Sequence, residues 1–330
     1  MIEHLVTTII PVYNRPVQLR EAVKSVLEQD YLPIEIIIVD DGSTDGITLR
    51  VAQELAAVSS GAIRAVTQVN GGPGAAREHG RQLAQGEFIQ YLDSDDVLLP
   101  GKFSAQVASL AAEPLADVAY GITYFRDHTG RLHPQPHKDT GISRATMFPT
   151  FLNSRWWETA TPLYRASVCA NAGAWTDLRL EEDWEYDCRI ASLGGRLVYC
   201  PVAVSEHRDH SGDRLSRGTN LDQRRMRMRA DSHRQIWQHA SRAELPRKFP
   251  EEVHLFSHSL FLLSRQCGAA GLTIESRDLF SLARQAAACD NTANNMQFRL
   301  YEGFAALVGW RRAGRISVWL DAVRSAKNQE

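Results

Sequence analysis

The run Phe88-Ile-Gln-Tyr-Leu-Asp93-Ser94-Asp95-Asp96 is an apolar segment that ends abruptly in three carboxylates. Side chains alternate faces in an extended chain, so Asp93 and Asp95 point to one side if strand geometry persists. Crowded like charges disfavour one another unless a cation neutralises them. A hard divalent ion, Mg²⁺ or Mn²⁺, takes oxygen ligands and is often shared between a carboxylate or two and substrate phosphates. Taken alone, the run supports two readings: a metal–diphosphate site at the end of a strand, or an acidic turn with Asp96 capping a helix.

The elements that must position these acids are legible on either side. Residues 5–12 read as a first strand, closed by Tyr13-Asn14-Arg15-Pro16. A helix is predicted over 17–29, with Leu19, Val23, Val26 and Leu27 at helical spacing. Ile34–Val39 is β-branched and nearly all apolar, as a strand covered on both faces must be. It runs into the turn Asp40-Asp41-Gly42-Ser43-Thr44-Asp45 and a helix near 46–57. A third strand near 63–68, a glycine-rich loop, a helix near 74–84 and the strand 87–92 complete the series. Alternating strands and helices imply a doubly wound, mostly parallel Rossmann-like α/β sheet with right-handed crossovers. Such sheets bind ligands beyond the carboxyl ends of their strands. The loops 11–15, 40–45 and 93–96 all fall on that edge, which favours a shared site over three unrelated turns.

After residue 100 the pattern loosens. A helix near 100–112 leads to a strand at 117–125. Residues 126–142 read as a mobile loop, and 160–165 as a short strand. A helix begins near Glu182 and carries Asp183, Tyr186, Ile190 and Leu193, and a strand follows at 196–204. From about 220 the chain reads as helical, with breaks near 245–250, 268–271 and 290–295. The expected division is a catalytic domain over 1–215, with halves of about 1–100 and 101–215, and a helical region over 216–330.

Composition excludes several classes. At 330 residues, 44% hydrophobic and 23% charged, the chain is a globular protein of one large or two ordinary domains. A net charge of -2 gives no argument for a nucleic-acid partner. No apolar run approaches the ~20 residues of a membrane span, and no signal peptide is expected at the N-terminus. The cysteines 169, 188, 200, 267 and 289 are odd in number and form no CxxC pair, so neither a disulfide framework nor a zinc site is expected. These features point to a cytoplasmic location.

The chain resembles the family 2 glycosyltransferases of GT-A fold. The resemblance rests on Ile9-Ile10-Pro11-Val12-Tyr13-Asn14, on Ile38-Val39-Asp40-Asp41-Gly42-Ser43-Thr44-Asp45 and on Asn70-Gly71-Gly72-Pro73-Gly74-Ala75-Ala76-Arg77. It continues through Tyr91-Leu92-Asp93-Ser94-Asp95-Asp96, Gly173-Ala174-Trp175 with Glu182-Asp183, and Arg208-Asp209-His210. Their order and spacing cover roughly the first 210 residues and leave out the C-terminal third.

The resemblance implies an inverting, metal-assisted enzyme with a nucleotide-diphosphate sugar donor, UDP-linked, and Mn²⁺ or Mg²⁺ as cofactor. Pro11 and Tyr13 would line the base pocket, with Asn14 and Ser94 in the donor-binding set. Asp41, or Asp40 in its place, would accept a hydrogen bond from an imide N–H such as that of uracil. Arg77 would lie under the nucleotide or fix the acidic loop. Asp95 would hold the metal, with Asp93 and Asp96 supporting, and His210, or His207, would complete the shell or touch the diphosphate. Asp183 would be the general base and Glu182 its support. Glu181 and Glu185 complicate the choice, since an acidic cluster also suits a helix N-terminus. Trp156 and Trp157 would shape the acceptor pocket, and Arg214, in Arg214-Leu215-Ser216-Arg217, would belong to a lid over the diphosphate.

The acceptor would be a glycan, lipid-linked or protein-linked group in cell-surface polysaccharide or glycoconjugate synthesis. The basic run Arg224, Arg225, Arg227, Arg229, Arg234 reads as a solvated helix face or a contact for anionic lipid. The apolar stretches 304–310 and 318–320 read as core packing, with a homodimer or a peripheral contact at the inner face of the membrane as the other uses. Two competing readings are a metal-dependent nucleotidyltransferase and a non-catalytic nucleotide-sugar-binding relative. The first lacks the glycine-rich basic loop it would want after strand one, and a dinucleotide dehydrogenase lacks its GxGxxG there.

Overall fold

The computed structural model describes residues 1–209, 221–288 and 296–327. The chain divides into two compact units, Met1–Met147 with Arg155–Gly212 and Phe148–Ser154 with Asp213–Glu330.

The first unit is α/β, and among the described residues its sheet has nine strands. In chain order its elements are β1 (Ile2–Val12), α1 (Pro16–Leu27), β2 (Ile34–Asp40), α2 (Thr48–Ala57), β3 (Ile63–Thr67), α3 (Pro73–Leu83) and β4 (Gly86–Tyr91). Then come β5 (Val97–Leu98), α4 (Lys102–Ala112), β6 (Val118–Arg126), β7 (Leu132–His133), β8 (Leu163–Arg165), α5 (Ala166–Ala172), α6 (Glu182–Ser192) and β9 (Leu197–Arg208). The strand order is β3-β2-β1-β4-β8-β6-β9-β5, with β7 paired to β6.

Strands β1 to β4 pair in parallel, as their alternation with helices requires. The four central residues Ile36–Val39 of β2 are fully buried. Ile36 and Ile38 pack with Leu19, Val23 and Val26 of α1 and Val51 of α2. Ile37 and Val39 turn to the other face and meet Ala76 of α3. Each such aliphatic side chain, fully buried, contributes about 1.5–3 kcal/mol. Helix α3 approaches so closely that a Cβ at Gly80 would run into Ile9. The sheet is thus covered on both sides, and its carboxyl edge is where the loops are exposed.

The second half of the sheet is mixed rather than parallel. The three-residue β8 inserts between β4 and β6, antiparallel to both. β6 and β9 are parallel, and β5 closes the far edge antiparallel to β9. Residues 126–142, read from sequence as a mobile loop, are held by protein contacts. Leu132 and His133 extend the sheet beside β6, the His137 amide donates to Thr123 O at 2.7 Å, and Thr140 Oγ1 donates to His137 O at 2.7 Å. Strand β9 extends four residues beyond the predicted 204, which places His207 and Arg208 in the sheet. Cys169, Cys188 and Cys200 are buried thiols of this unit.

The second unit is helical: a 3₁₀ turn (Thr150–Leu152), α7 (Gln223–Arg242), α8 (Leu245–Lys248), α9 (Pro250–Ala270), α10 (Thr273–Ala287), α11 (Met296–Val308) and α12 (Trp310–Lys327). Asp222 caps α7 by accepting from the Arg225 amide at 2.8 Å. Phe256, Leu260, Leu263, Leu279, Phe280 and Phe298 form its buried apolar centre. Part of the basic run on α7 meets acids of α10: Arg227 pairs with Glu275 at 2.8 Å and Arg234 with Asp278 at 3.5 Å. Ala305 is buried, but Trp319 is 63% exposed, so the C-terminal apolar stretches are only partly core. Among the described residues no helix is long and apolar enough to cross a membrane.

Candidate active site

The loops after β1, β2 and β4 meet at one edge, joined by backbone and side-chain bonds. The parallel register sets Val12 beside Asp40 and Asp40 beside Thr67. The Asp41 amide then donates to Val12 O at 2.8 Å. Asn14, at φ 52°, reaches across: its amide donates to Ser43 Oγ at 2.9 Å, and its Oδ1 accepts from the Thr44 amide at 2.8 Å. Asn14 therefore ties the first loop to the second. Pro11 is buried, whereas Tyr13 is 43% exposed and leaves its ring accessible.

Asp40 and Asp41 are both buried and serve the loops themselves. Asp40 accepts from Thr67 Oγ1 at 2.9 Å and from the Ser43 amide at 3.3 Å. Asp41 Oδ1 accepts from Gln68 Nε2 and the Gly71 amide, and Oδ2 from the Gly72 amide, each at 2.8 Å. A carboxylate has about four acceptor positions, so one on Oδ2 is left for a further donor. Gly72 holds φ 92°, and a Cβ at Gly42 (φ 69°) would lie 2.9 Å from the Asn70 amide nitrogen. Arg179 fastens the same glycine-rich loop from the other side, donating to Asn70 Oδ1 at 2.9 Å and Asn70 O at 3.0 Å.

The acids after β4 point to different partners. Asp93 O accepts from the Asp96 amide at 3.0 Å, closing a tight turn. Within it Asp93 is a third exposed, Ser94 is buried, and Asp95 pairs with Arg15 Nη1 at 2.6 Å. Asp96 is buried and faces β9, where it accepts from the Arg208 amide at 3.0 Å and meets His207 Nδ1 at 3.1 Å. Burial pushes the Asp96 carboxyl up, against the pull of His207.

Arg77 joins this turn to α6. Its guanidinium is buried, donating from Nη2 to Asp93 Oδ1 at 2.6 Å and from Nη1 to Glu182 Oε1 at 2.7 Å. It also lies 4.9 Å from the Trp175 ring centroid. Burial alone would lower the Arg77 pKa, but Asp93, Glu182 and Asp183 outweigh it and hold the guanidinium charged. Through Asp93, Arg77 bonds the acidic turn.

Helix α6 begins on a strained residue, Glu181 at φ 60°. Strain of this kind persists only where the surroundings enforce it. Glu182 then turns inward to Arg77, and Asp183 stays a quarter exposed, with Oδ2 paired to Arg155 Nη1 at 2.8 Å. Their proton affinities diverge. Burial and the neighbouring Asp183 raise Glu182 to about 7, against the pull of Arg77. Burial would raise Asp183 as well, but Arg155 and Arg77 outweigh it and hold it below the usual range. Glu185 turns to Arg189 at 3.0 Å and Thr176 at 3.2 Å, which separates it from this pair.

Some sequence expectations change. Trp156 and Trp157 are buried, at 2% and 0% exposure, and pack on Tyr120 at 5.1 and 5.6 Å. Neither ring offers a face for sugar stacking; Trp157 instead donates Nε1 to Asp187 at 2.9 Å. Aromatic side chains between polar neighbours read alike in sequence whether they close a core or line a pocket. His210 and Arg214 lie outside the described residues. Among the described residues no three His, Cys, Asp or Glu side chains gather as a metal cage. Asp93 and Asp95 are oxygen donors of the kind a hard divalent ion takes, and both are paired with arginines here.

Sequence reasoning passed over Arg15 and Arg155, because partner choice by arginine is tertiary. It also passed over Glu158, which accepts from Lys138 at 2.7 Å and His137 at 3.0 Å close to Asp183. Lys138 has φ 53°, a second strained position that a sequence does not display.

Residues 7–170 match the profile described as glycosyl transferase family 2. An uncharacterized glycosyltransferase of Rickettsia conorii is 46% identical over 105 residues, 31% of this chain and 17% of that protein. The GalNAc(5)-diNAcBac-PP-undecaprenol beta-1,3-glucosyltransferase of Campylobacter jejuni is 38% identical over 99 residues, 30% of this chain and 32% of that protein. The matched stretch spans between 14% and 41% of the curated relatives' lengths. Among solved structures, S. aureus TarS 1–349 in complex with UDP-GlcNAc has a TM-score of 0.65 at 20% identity, covering 96% of this chain and 92% of that one. GalNAc-T7 with UDP, GalNAc and Mn²⁺ has a TM-score of 0.54 at 18% identity, covering 71% and 47%. At these identities the likeness shows a shared GT-A-like α/β fold with C-terminal helices.

Proposed function

Because this chain belongs to glycosyl transferase family 2 through residues 7–170, we propose that it transfers a sugar, with inversion, from a nucleoside-diphosphate sugar to an acceptor hydroxyl. The observation that carries this reading is the Arg77 bridge. It holds the acidic turn after β4 against the acid pair that opens α6, so the residues proposed for the diphosphate and for the base share one edge. The TarS complex with UDP-GlcNAc and the GalNAc-T7 complex with UDP support a uridine donor. The undecaprenol-linked acceptor in the name of the C. jejuni relative supports a lipid-linked acceptor.

In this reading Tyr13 faces the base, and Asp41, while shaping the 70–72 turn, accepts from it through its remaining position on Oδ2. Asp183 takes the proton from the acceptor hydroxyl as that oxygen attacks the anomeric carbon. The sugar–phosphate bond breaks on the opposite face, which inverts the anomeric centre and passes through an oxocarbenium-like transition state. Glu182, with its raised proton affinity, carries less charge beside Asp183 than an ordinary glutamate. Asp93 and Asp95 would hold a divalent ion, which when bound supplies Lewis-acid stabilisation of the departing diphosphate.

The test is donor binding and turnover with UDP-GlcNAc and Mn²⁺. At a hundredfold excess over its dissociation constant a bound donor should stabilise the chain by about 2.7 kcal/mol. Asp183→Asn should keep that stabilisation and lose turnover by about a hundredfold or more. Undiminished turnover would remove Asp183 as the base. Formation of UTP and GlcNAc-1-phosphate when pyrophosphate is supplied, in place of UDP release, would favour a nucleotidyltransferase, and donor binding without turnover by the wild type would favour a non-catalytic relative.

A further inference from the structure

Asp183 and Asp187 lie one turn apart on α6, and a single guanidinium joins them. Arg155 gives Nη1 to Asp183 Oδ2 and Nε to Asp187 Oδ2, both at 2.8 Å. Its side chain is only 9% exposed. Asp187 is 1% exposed and is fixed by two further donors, Trp157 Nε1 at 2.9 Å and Tyr164 Oη at 2.7 Å. Arg155 is thus anchored at its inner end and presents its outer end to Asp183.

The two oxygens of Asp183 are unequally engaged. Oδ2 accepts from Arg155 and, at 3.3 Å, from Thr159 Oγ1. Oδ1 accepts from the Trp184 amide at 2.7 Å. A carboxylate oxygen has two acceptor positions, so the donors described leave one of them on Oδ1. We propose that Arg155, anchored by Asp187, is the positioning residue for the base: it locks Asp183 so that Oδ1 receives the acceptor proton, and it divides its charge between the two carboxylates. This rests on the reading of Asp183 as general base.

The charged groups around Asp183 come from several segments. Arg155 and Glu158 precede β8, Lys138 follows β7, Arg77 is on α3, and Glu182 is on α6 itself. Burial would raise the Asp183 pKa, Arg155 and Arg77 pull it down, and Glu158 works against them. The anchoring acid makes opposite predictions possible. Removing Arg155 takes away a cation, so Asp183 should titrate higher. Removing the charge of Asp187 leaves Arg155 to Asp183 alone, so Asp183 should titrate lower. A role confined to packing would change stability in these variants and leave turnover of the folded Arg155→Lys near the wild type.

The full chain labelled with [4-¹³C]aspartate allows the Asp183 carboxyl to be followed by NMR against pH, with Asp183→Asn identifying its resonance. The expected result is a midpoint about one unit higher in Arg155→Gln and lower in Asp187→Asn. Turnover of UDP-GlcNAc with Mn²⁺ should fall about tenfold or more in Arg155→Gln. Arg155→Lys keeps the charge without the fork, so its midpoint should stay near the wild type while turnover still falls. If Arg155→Gln does not fold, Arg155→Lys and Asp187→Asn still carry the test. Titrations that coincide with wild type in the folded variants, with Asp183→Asn inactive, overturn this proposal alone. Wild-type turnover by Asp183→Asn overturns the base reading and this proposal with it.

Discussion

Two sets of carboxylates border the same sheet edge, and they are satisfied by different donors. After β2, Asp40, Asp41 and Asp45 accept from neutral groups: backbone amides of Ser43, Ile47, Thr48, Gly71 and Gly72, and side chains of Thr48, Thr67 and Gln68. After β4 and on α6, Asp93, Asp95, Glu182, Asp183 and Asp187 accept from the guanidinium groups of Arg15, Arg77 and Arg155. The first arrangement fixes the shape of a loop, and the acid's charge is secondary to its acceptor oxygens. The second fixes charge. It keeps several acids close together at modest cost, with cations that a charged ligand can compete for or share.

The largest expected effect falls where that second arrangement is most buried. Arg77→Met leaves Asp93 and Glu182 without their shared cation, and Glu182 is only 8% exposed. Removing one partner of a buried ion pair costs about 3–5 kcal/mol. Urea unfolding at neutral pH should show a loss of that order. A loss under about 1 kcal/mol would mean that these acids do not depend on the guanidinium, and the contrast between the two sets would collapse.

How far the contrast could be seen in the sequence differs between the sets. The strands and helices around Asp40 and Asp41 obey local rules: a continuous apolar β2, helical spacing at Leu19, Val23 and Val26, and glycines at a tight turn. Parallel topology then puts Asp41 and Asp93 on one edge with no further information. The arginine partners follow no such rule. Arg155 and Asp183 are 28 positions apart and Arg77 and Glu182 are 105, so only the folded sheet brings them together. The short strand read over 160–165 is Leu163–Arg165, but its antiparallel place between β4 and β6 leaves no mark in so few residues. The burial of Trp156 and Trp157 was equally hidden, because the polar segments around them resemble a pocket rim.

A second effect is a pH dependence confined to the guanidinium-bound set. Glu182 is raised to about 7 in the folded chain, from 4.5. Between those values the native state holds a proton that the unfolded state has released, so stability falls as pH rises through that window. Asp183, shifted downward, acts below 3.8 in the opposite sense: its contribution is present above that value and is lost as pH falls through the folded one. Asp96 and Asp187, both raised by burial, add to the same fall as Glu182, so wild type alone does not isolate it. The difference between wild type and Glu182→Gln does. Urea midpoints from pH 5 to 8 should show the variant losing about 1–3 kcal/mol less than wild type across the range. Parallel curves would mean that Glu182 titrates as an ordinary surface acid.

The smallest effect is expected where the charge itself is dispensable. Asp45 holds the turn that leads into α2 in the manner of a cap: Oδ1 accepts from the Ile47 and Thr48 amides at 2.9 Å, and Oδ2 from Thr48 Oγ1 at 2.6 Å. An asparagine at this position keeps one oxygen for the amides, and its NH₂ can donate to the Thr48 hydroxyl. Asparagine and aspartate are near-equal N-caps, so Asp45→Asn should change stability by less than about 0.5 kcal/mol. Asp45→Ala removes the acceptor altogether and should cost about 1 kcal/mol. Unfolding of the two variants side by side separates the loss of an acceptor from the loss of a charge. If Asp45→Asn costs as much as Asp45→Ala, charge matters on both sides of the edge. If only Asp45→Ala is weakened, the loops after β2 are held by acceptor geometry, and the charge-dependent behaviour of the site belongs to the acids that arginines hold.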